Sequence, residues 1–185
     1  MQPKVSEKLG PESWVQRALA TLLEAGIEQV RVERLAKDLG VTKGSFYWHF
    51  RDRQHLLDEL LEYWFRTMTE EVFEVARGVQ GSARERLHAA LADIMTQNRA
   101  GYDLAVRAWA RLDPKAAQAV RRIDDKRLEF LCGLLVDTGL EQVEAGHRAR
   151  LLYDYVLGEA MAFNRQPVGE RLRTVERVVD VLAGR

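Results

Sequence analysis

Residues 40–50 read Gly-Val-Thr-Lys-Gly-Ser-Phe-Tyr-Trp-His-Phe, and this stretch decides how the rest of the chain is interpreted. Gly40 suits the left-handed end of one helix, and Thr42 suits the N-cap of the next. Two short helices joined through Gly-Val-Thr form a helix-turn-helix. Because large apolar side chains on a polar surface are unfavourable without a partner, the run Tyr-Trp-His indicates that the second of these helices contacts another molecule.

That second helix, from Thr42 to Phe50, divides its side chains between two sides. At about 100° per residue, Phe46 and Phe50 share one side and are expected to face the core. The centre of the opposite side carries two small residues and one aromatic ring, and each flank carries a ring that can form hydrogen bonds. A helix of this kind fits the major groove of DNA. The residues predicted to face the groove and its two flanks are Gly44, Ser45, Tyr47, Trp48 and His49.

The predicted contacts divide into phosphate contacts and base contacts. Tyr47 and His49 are expected to donate hydrogen bonds to phosphate oxygens, and the unpaired N–H groups at the start of the helix attract anions. Lys43, Ser45 and Trp48 are placed to meet base edges, with Trp48 against a thymine methyl group. The sequence therefore predicts a helix that binds duplex DNA and reads a few bases.

Two arginines stand at helix starts, where a cation opposes the helix dipole. Arg31 precedes the helix that ends at Leu39, and Arg53 lies in the first turn of the next long helix. A phosphate would supply the missing anion, so both are predicted to contact the DNA backbone. Ordinary interpretations stay open as well. Trp48 and Tyr47 can pack in the core, His49 can contact the last carbonyls of its helix, and the cations can simply be solvated.

Apolar residues repeat at helical spacing from Pro11 almost to the end, with no convincing strand, so we expect an all-α fold of about nine helices. The signals divide the chain into an N-terminal domain, 1–55, and a C-terminal helical domain, 56–185. Helix boundaries are expected at Pro11 and Gly26, Val32 and Gly40, Thr42 and Phe50, Asp52 and Ala76, at Ser82-Ala83-Arg84-Glu85, at Asp103, at Asp113-Pro114 and Gly139, and at Pro167.

Composition narrows the class of protein. The 185 residues carry 28 Lys+Arg against 28 Asp+Glu, so any basic face is local. Cys132 is the single cysteine, which excludes an intrachain disulfide and a thiolate metal cage and favours a reducing cytoplasm. No apolar run approaches the roughly 20 residues of a membrane span, and the first residues lack an apolar secretion core. We therefore expect a cytoplasmic protein.

The stretch from about Trp14 to Leu57, and above all residues 40–50, resembles the DNA-binding domain of TetR-family transcriptional regulators. The resemblance covers the first third of the chain closely and the remainder only in helical plan and length. It implies a three-helix DNA-binding domain, a helical ligand-binding domain, and a homodimer through the last two helices that binds a palindromic operator. Repression that a small molecule relieves is the default function.

The resemblance also implies roles for single residues. Ser45 and Trp48 fall on base-facing positions, and Arg53 falls where the family usually has a lysine that binds the DNA backbone. Arg31 departs from the family, which usually has Ser or Thr there to cap the helix and touch phosphate. The family's phosphate contacts fall on Thr42, Lys43, Gly44, Tyr47 and His49.

The second domain is expected to hold a small-molecule site. Such a site is an apolar cavity with a few polar tips, and the candidates are Trp64, Met95, Tyr102, Trp109 and Tyr153. The stripe Leu152, Val156, Ala160 and Phe163 is predicted to form a packing seam with Val168, Leu172, Val175, Val179 and Leu182 of the final helix. The seam is expected to serve dimerisation; the alternative is plain core within one subunit. Asp124 and Asp125 are predicted to be solvated surface, and Cys132 a buried small side chain.

Two other classes of function stay open at this stage. One is a helical small-molecule-binding protein or adaptor without DNA binding, in which the helix 42–50 contacts protein. The other is an enzyme, which has little support. His49, His55, His88 and His147 lack metal-ligand spacing, and the sequence has neither a phosphate-binding glycine loop nor a nucleophile elbow. We therefore predict no catalytic residues, no metal and no cofactor.

Overall fold

A computed structural model describes residues 9–162 and 166–184, and within them it contains helices and no strands. The predicted all-α fold is confirmed. The helix α4 continues through one π-helical turn, Arg66–Glu70, into α5, and counting these as one gives nine helices in the described ranges. The helices are α1 Pro11–Ala25, α2 Val32–Leu39, α3 Lys43–Phe46, α4 Arg53–Phe65, α5 Glu71–Gly78, α6 Ala83–Thr96, α7 Arg99–Ala110, α8 Pro114–Val136, α9 Gln142–Met161 and α10 Val168–Leu182.

Several predicted helix boundaries are confirmed by their hydrogen bonds. Gly40 ends α2 in the left-handed region at φ 69°. The Asp52 carboxylate accepts a hydrogen bond from the backbone N–H of His55 at 2.8 Å, which caps the first turn of α4. Ser82 and Glu85 form the expected capping box at the start of α6. Asp113 accepts from two backbone N–H groups at the start of α8.

Two expected boundaries are wrong. Asp103 does not cap a helix, because α7 begins at Arg99 after Asn98 in the left-handed region, and Asp103 lies buried one turn inside it. The regular part of the predicted helix 42–50 ends at Phe46, and the chain continues in turns to Phe50. The position of Asp103 ahead of an apolar run predicted an N-cap, whereas in the folded chain its carboxylate is buried inside α7.

The chain divides into two compact units between Trp64 and Phe65. The boundary expected at residue 55 lies within α4, because the first three turns of that helix belong to the N-terminal unit. Apolar side chains of α4 are buried there together with those of α1, α2 and α3. This N-terminal core includes Trp14, Leu35, Phe46, Leu56, Leu60 and Trp64, all fully buried.

The C-terminal unit is a bundle in which α8 packs against α7 and α9, and α6 packs against α5 and α10. Its core includes Leu87, Leu91, Leu135, Leu152 and Val179. Leu152 and Val156 of the predicted stripe lie in this core, together with Val175 and Val179 of the final helix, so the expectation that they form a dimer seam is wrong. Ala160 of the stripe is half-buried, and Phe163 lies outside the described residues. Among the described residues, none of the helices has the length and apolarity needed to cross a bilayer.

Candidate nucleic-acid interface and effector cavity

The helix α3 is anchored by aromatic packing on its inner side. The Phe46 ring meets Trp14 of α1 edge to face, with ring centroids 5.3 Å apart, and stacks on Phe50 at 5.1 Å. Both phenylalanines are buried, as predicted. Such rings contribute large buried areas and prefer these geometries. The inner side of α3 therefore fixes the orientation of its outer side.

The outer side of α3 exposes two aromatic rings. Trp48 is 87% exposed and Tyr47 is 57% exposed. Neither ring is core packing, so that interpretation is wrong for both residues. His49 and Ser45 are half-buried on the same short segment. An exposed indole of this size is unfavourable in water unless it has a partner.

Lys43, in the first turn of α3, forms an ion pair with Glu33 of α2. A hydrogen bond from the lysine lowers the pKa of Glu33, and the same hydrogen bond raises the pKa of Lys43. Both side chains are exposed, so the pair is weak and exchangeable. A phosphate competing for Lys43 would have to replace this carboxylate.

Thr42 and Gly44 complete the N-terminal end of α3. Thr42 has the extended backbone of an N-cap, yet its side chain makes no capping hydrogen bond. A Cβ added at Gly44 would meet only the Thr42 Oγ1 at 3.6 Å, an ordinary contact. The protein interior therefore does not require glycine at this position, and any demand for a small residue comes from outside the chain.

The two arginines predicted to bind phosphate both donate to backbone carbonyls. Arg53 donates to the carbonyls of Val30, at 2.7 Å, and Ile27, at 2.9 Å. Arg31 donates to the carbonyl of Glu28 at 2.7 Å and does not cap α2. These bonds tie down the irregular segment between α1 and α2, and both side chains remain on the exposed surface.

The C-terminal unit contains a cavity of about 60 Å³ between α5, α6, α7, α8 and α9. Its walls are mostly carbon. They include Val72, Phe73, Leu91, Ile94, Leu131 and Val156. An apolar cavity of this kind, with charged groups at one end, is the usual form of a small-molecule site.

The charged end of the cavity is centred on Arg127 of α8. Its guanidinium donates to the Asp103 carboxylate at 2.8 Å, to the Thr69 hydroxyl at 2.9 Å and to the Met68 carbonyl at 3.2 Å. Burial lowers the pKa of Arg127, but the interactions with Asp103 and Tyr153 together outweigh it, and the net pKa is raised. Arg127 is therefore a fully charged and internally paired cation.

Arg107 and Tyr153 extend this network behind the cavity wall. Arg107 donates to Asp103 at 2.8 Å and to Asp124 at 3.0 Å. The Tyr153 hydroxyl donates to Asp124 at 2.7 Å and accepts from Arg107 at 2.7 Å. Burial raises the pKa of Tyr153, so the phenol stays neutral. Hydrogen bonds to the Tyr153 hydroxyl thus connect Arg107 of α7 and Asp124 of α8 to α9.

The π-helical turn at Arg66–Glu70 is held by two arginines that also line the cavity. Arg99 donates to the carbonyl of Thr67 and to the Glu71 carboxylate, the latter at 3.1 Å, and Arg127 donates to the Met68 carbonyl. A π turn interrupts the regular i to i−4 pairing, so its carbonyls are open to other donors. Arg99 and Arg127 therefore both line the cavity and hydrogen-bond to the turn.

Comparison with known proteins identifies the N-terminal unit. A family model described as bacterial regulatory proteins, tetR family, matches residues 15–60. The class A tetracycline repressor from transposon 1721 of Escherichia coli is 42% identical over 55 residues, 30% of this chain and 26% of the repressor. Residues 15–60 are therefore similar to the DNA-binding domain of the TetR family. The matches to such curated relatives span about a quarter of their length.

Solved structures resemble this chain over nearly its whole length. A transcriptional regulator from Rhodococcus sp. Rha1 is 23% identical, with 95% of this chain and 94% of that chain covered and a TM-score of 0.74. FadR from Bacillus subtilis, solved in complex with stearoyl-CoA, is 21% identical, with 91% and 96% covered and a TM-score of 0.65. At these identities the likeness concerns the fold.

The structure brings one of the five predicted ligand contacts to the cavity. Tyr153 lines it, whereas Met95 lines a separate cleft beside the Glu159–Arg171 ion pair. The cavity does not include the other three candidates. These are Trp64, in the N-terminal unit, and Tyr102 and Trp109, both on α7.

Sequence reasoning missed the charged residues of this network. Asp124 was expected to be solvated, but it pairs with Arg107 and accepts from Tyr153, so that expectation is wrong. Cys132 is half-buried and accepts a hydrogen bond from Gln142. The signal was available in α7, where Asp103 and Arg107 stand four residues apart on the side that also carries the fully buried Val106. Charges on a buried stripe indicate a buried ion pair.

Proposed function

We propose that this chain is a ligand-responsive transcriptional regulator that binds DNA through α3. The observation that carries the proposal is the exposure of Tyr47 and Trp48 in the turns that follow α3, on a segment held by buried Phe46 and Phe50 and within the region that matches the TetR-family model. Its relatives are named as repressors and transcriptional regulators, which supports regulation rather than catalysis. Within the described residues, no group of His, Cys, Asp and Glu is arranged to hold a metal ion.

In this proposal the outer side of α3 enters the major groove. Ser45 and Trp48 read base edges, with the indole against a thymine methyl group. Lys43 leaves Glu33 for a phosphate, and the absence of a side chain at Gly44 lets the backbone approach the DNA. The remaining phosphate donors are Thr42, Tyr47, His49, Arg31 and Arg53.

We further propose that the regulator is a homodimer through α9 and α10 and binds a palindromic operator in the cytoplasm. Val143, Leu151 and Met161 on α9 are 63%, 59% and 69% exposed, and Val181 on α10 is 73% exposed. Apolar residues repeated along one side of adjacent helices are typical of a packing surface. Two linked heads gain effective concentration on DNA, which a single head lacks.

Effector binding in the cavity is proposed to relieve repression through the π turn. Arg99 and Arg127 line the cavity and hold the carbonyls of Thr67 and Met68, and the turn continues directly into α4. A ligand that moves either arginine changes the hydrogen bonding of the turn and with it the helix that leads to the DNA-binding unit. A solution distance between paired α3 helices that is unchanged by effector would contradict this coupling.

The test is a salt titration of binding to duplex DNA. Electrostatic binding requires the logarithm of the association constant to fall linearly with the logarithm of salt concentration. Tyr47→Phe combined with His49→Ala should weaken binding to operator and to random duplex alike, since both residues contact phosphate. The matched control is Tyr102→Phe on α7 of the C-terminal unit, which removes a phenol hydroxyl without touching α3 or the proposed dimer helices and should leave affinity unchanged.

The same titration separates the alternatives. An adaptor that uses α3 to contact protein predicts no salt-dependent binding to duplex DNA. An enzyme predicts turnover of the molecule that the cavity binds, measured on the purified chain. Either result would contradict the proposal that the chain is a transcriptional regulator.

A further inference from the structure

The charged end of the C-terminal cavity is neutralised by its own residues. Three guanidinium groups, those of Arg99, Arg107 and Arg127, meet four carboxylates. The carboxylates are those of Glu71, Asp93, Asp103 and Asp124. Two arginines in a cavity wall would ordinarily indicate an anionic ligand, but here the local charge has no positive excess.

The hydrogen-bonding groups at this end are also engaged with one another. The Thr69 hydroxyl is almost fully buried and accepts from Arg127, and the Tyr153 hydroxyl both donates and accepts within the network. A carboxylate ligand would have to take Arg127 from Asp103, whose side chain is only 3% exposed. That exchange leaves a buried aspartate with reduced compensation, which is strongly unfavourable.

We propose that the effector is an uncharged, mainly hydrocarbon molecule and that the cavity rejects its carboxylate counterpart. This inference rests on the proposed function, which makes the cavity the effector site. The carbon walls supply the binding free energy by burial of apolar surface. The paired charges supply selectivity, because they give a buried anion no uncompensated cation.

The small volume of the cavity indicates how the ligand acts. About 60 Å³ is less than half of the roughly 150 Å³ of an engineered apolar cavity that binds benzene. A ring-sized ligand must therefore displace a wall. The walls from α7, α8 and α9 are joined by the ion pairs of Asp103 and Asp124, whereas Met68 is a half-buried, unbranched side chain on the π turn. The ligand therefore makes room by displacing the Met68 side chain.

A matched pair of probes tests the inference: toluene and benzoate, which share a ring and differ in charge. Thermal unfolding of the full chain is measured with each probe. Toluene should raise the Tm by about 3–6 °C at ten times its dissociation constant, and benzoate at the same concentration should not raise it. Stabilisation by benzoate alone, by both probes equally or by neither overturns the inference.

Two variants locate the effect. Ala100→Leu on α7 adds bulk to the cavity wall and should abolish the toluene shift, whereas Ala108→Leu, on the exposed side of the same helix, should keep it. Retention of the full shift in Ala100→Leu places toluene elsewhere and overturns the inference. Asp103→Asn removes one carboxylate and should let benzoate stabilise the protein; if that variant does not fold, the wild-type comparison decides.

Duplex binding by the same preparations keeps the two proposals apart. Salt-dependent binding to DNA without a toluene shift overturns the inference about the effector and leaves the regulator intact. A toluene shift without DNA binding overturns the regulator and supports an apolar binding site in a protein of another function.

Discussion

Arginines in the two units use the same chemistry under different conditions. In the N-terminal unit, Arg53 donates to the carbonyls of Val30 and Ile27 from an exposed position. In the C-terminal unit, Arg127 donates to the Met68 carbonyl from the interior and is paired with Asp103. Both arginines donate hydrogen bonds to backbone carbonyls in segments where the helical hydrogen bonding is irregular. Exposure decides the difference, because water solvates the first charge, whereas the second requires a carboxylate.

The contrast explains what each surface can bind. Around α3 the one charged pair that involves the helix, Lys43 with Glu33, is exposed and exchangeable, so a phosphate can compete for it. Around the cavity the charges are buried and paired, so they join the helices and give an anionic ligand no uncompensated cation. Lys43 thus stays available to an external anion, whereas Arg127 is committed to Asp103.

The largest expected effect is the loss of a buried charge partner. Arg127→Met should lower the free energy of unfolding by about 3–5 kcal/mol, because it leaves Asp103 buried with Arg107 as its remaining cation. The measurement is urea unfolding followed by circular dichroism. The control is Arg150→Met, whose partner Asp154 and own side chain are both more than half exposed, and which should cost about 0–1 kcal/mol. Equal costs for the two variants would contradict the contrast between the units.

A smaller effect is expected at the exposed indole of α3. Trp48→Ala should weaken operator binding by about 1–3 kcal/mol, since it removes a base contact, and should leave thermal stability unchanged because the side chain is 87% exposed. Fluorescence anisotropy with a labelled operator measures the first and thermal unfolding the second. Leu112→Ala, at a 75% exposed residue of the C-terminal unit, should change neither. A Tm that falls with Trp48→Ala would mean that the indole packs within the protein.

Arg53 tests whether its carbonyl bonds matter beside its proposed phosphate contact. Arg53→Met removes two hydrogen bonds to the segment before α2 and should lower the free energy of unfolding by about 1 kcal/mol. Arg31→Met removes one such bond and should cost less. Both variants are measured by urea unfolding and by DNA binding. An unchanged urea midpoint with weakened DNA binding would make Arg53 a phosphate contact alone.

Local signals in the sequence predicted the N-terminal unit well. Gly40, Asp52 and Pro11 act within a few residues of their own positions, so their roles follow from local hydrogen bonding. The sides of α3 followed from helical periodicity, which placed Phe46 inside and Trp48 outside. A short motif with strong local rules determines much of its own structure.

The cavity network depends on contacts that local patterns do not encode. Asp103 meets Arg127 across 24 positions of sequence and Tyr153 meets Asp124 across 29. A carboxylate ahead of an apolar run has the same local pattern whether it caps a helix or lies inside one, so Asp103 was misplaced. Tyr153 was found because a polar tip on an aromatic ring suits a cavity, but its partners were visible only after the helices had been packed.

The smallest expected effect concerns the exchangeable pair beside α3. Glu33→Gln removes the carboxylate that competes for Lys43, so it should tighten binding to random duplex and steepen the salt dependence by up to about one unit of slope. Mild acid does not reproduce the change. The pKa of Glu33 lies below its ordinary 4.5, so the pair persists until the pH falls through that lowered value. Glu129→Gln removes the same charge from the exposed surface of the C-terminal unit and serves as the control. If both variants steepen the slope equally, the effect reflects net charge, and Lys43 is already free to bind phosphate in the wild-type protein.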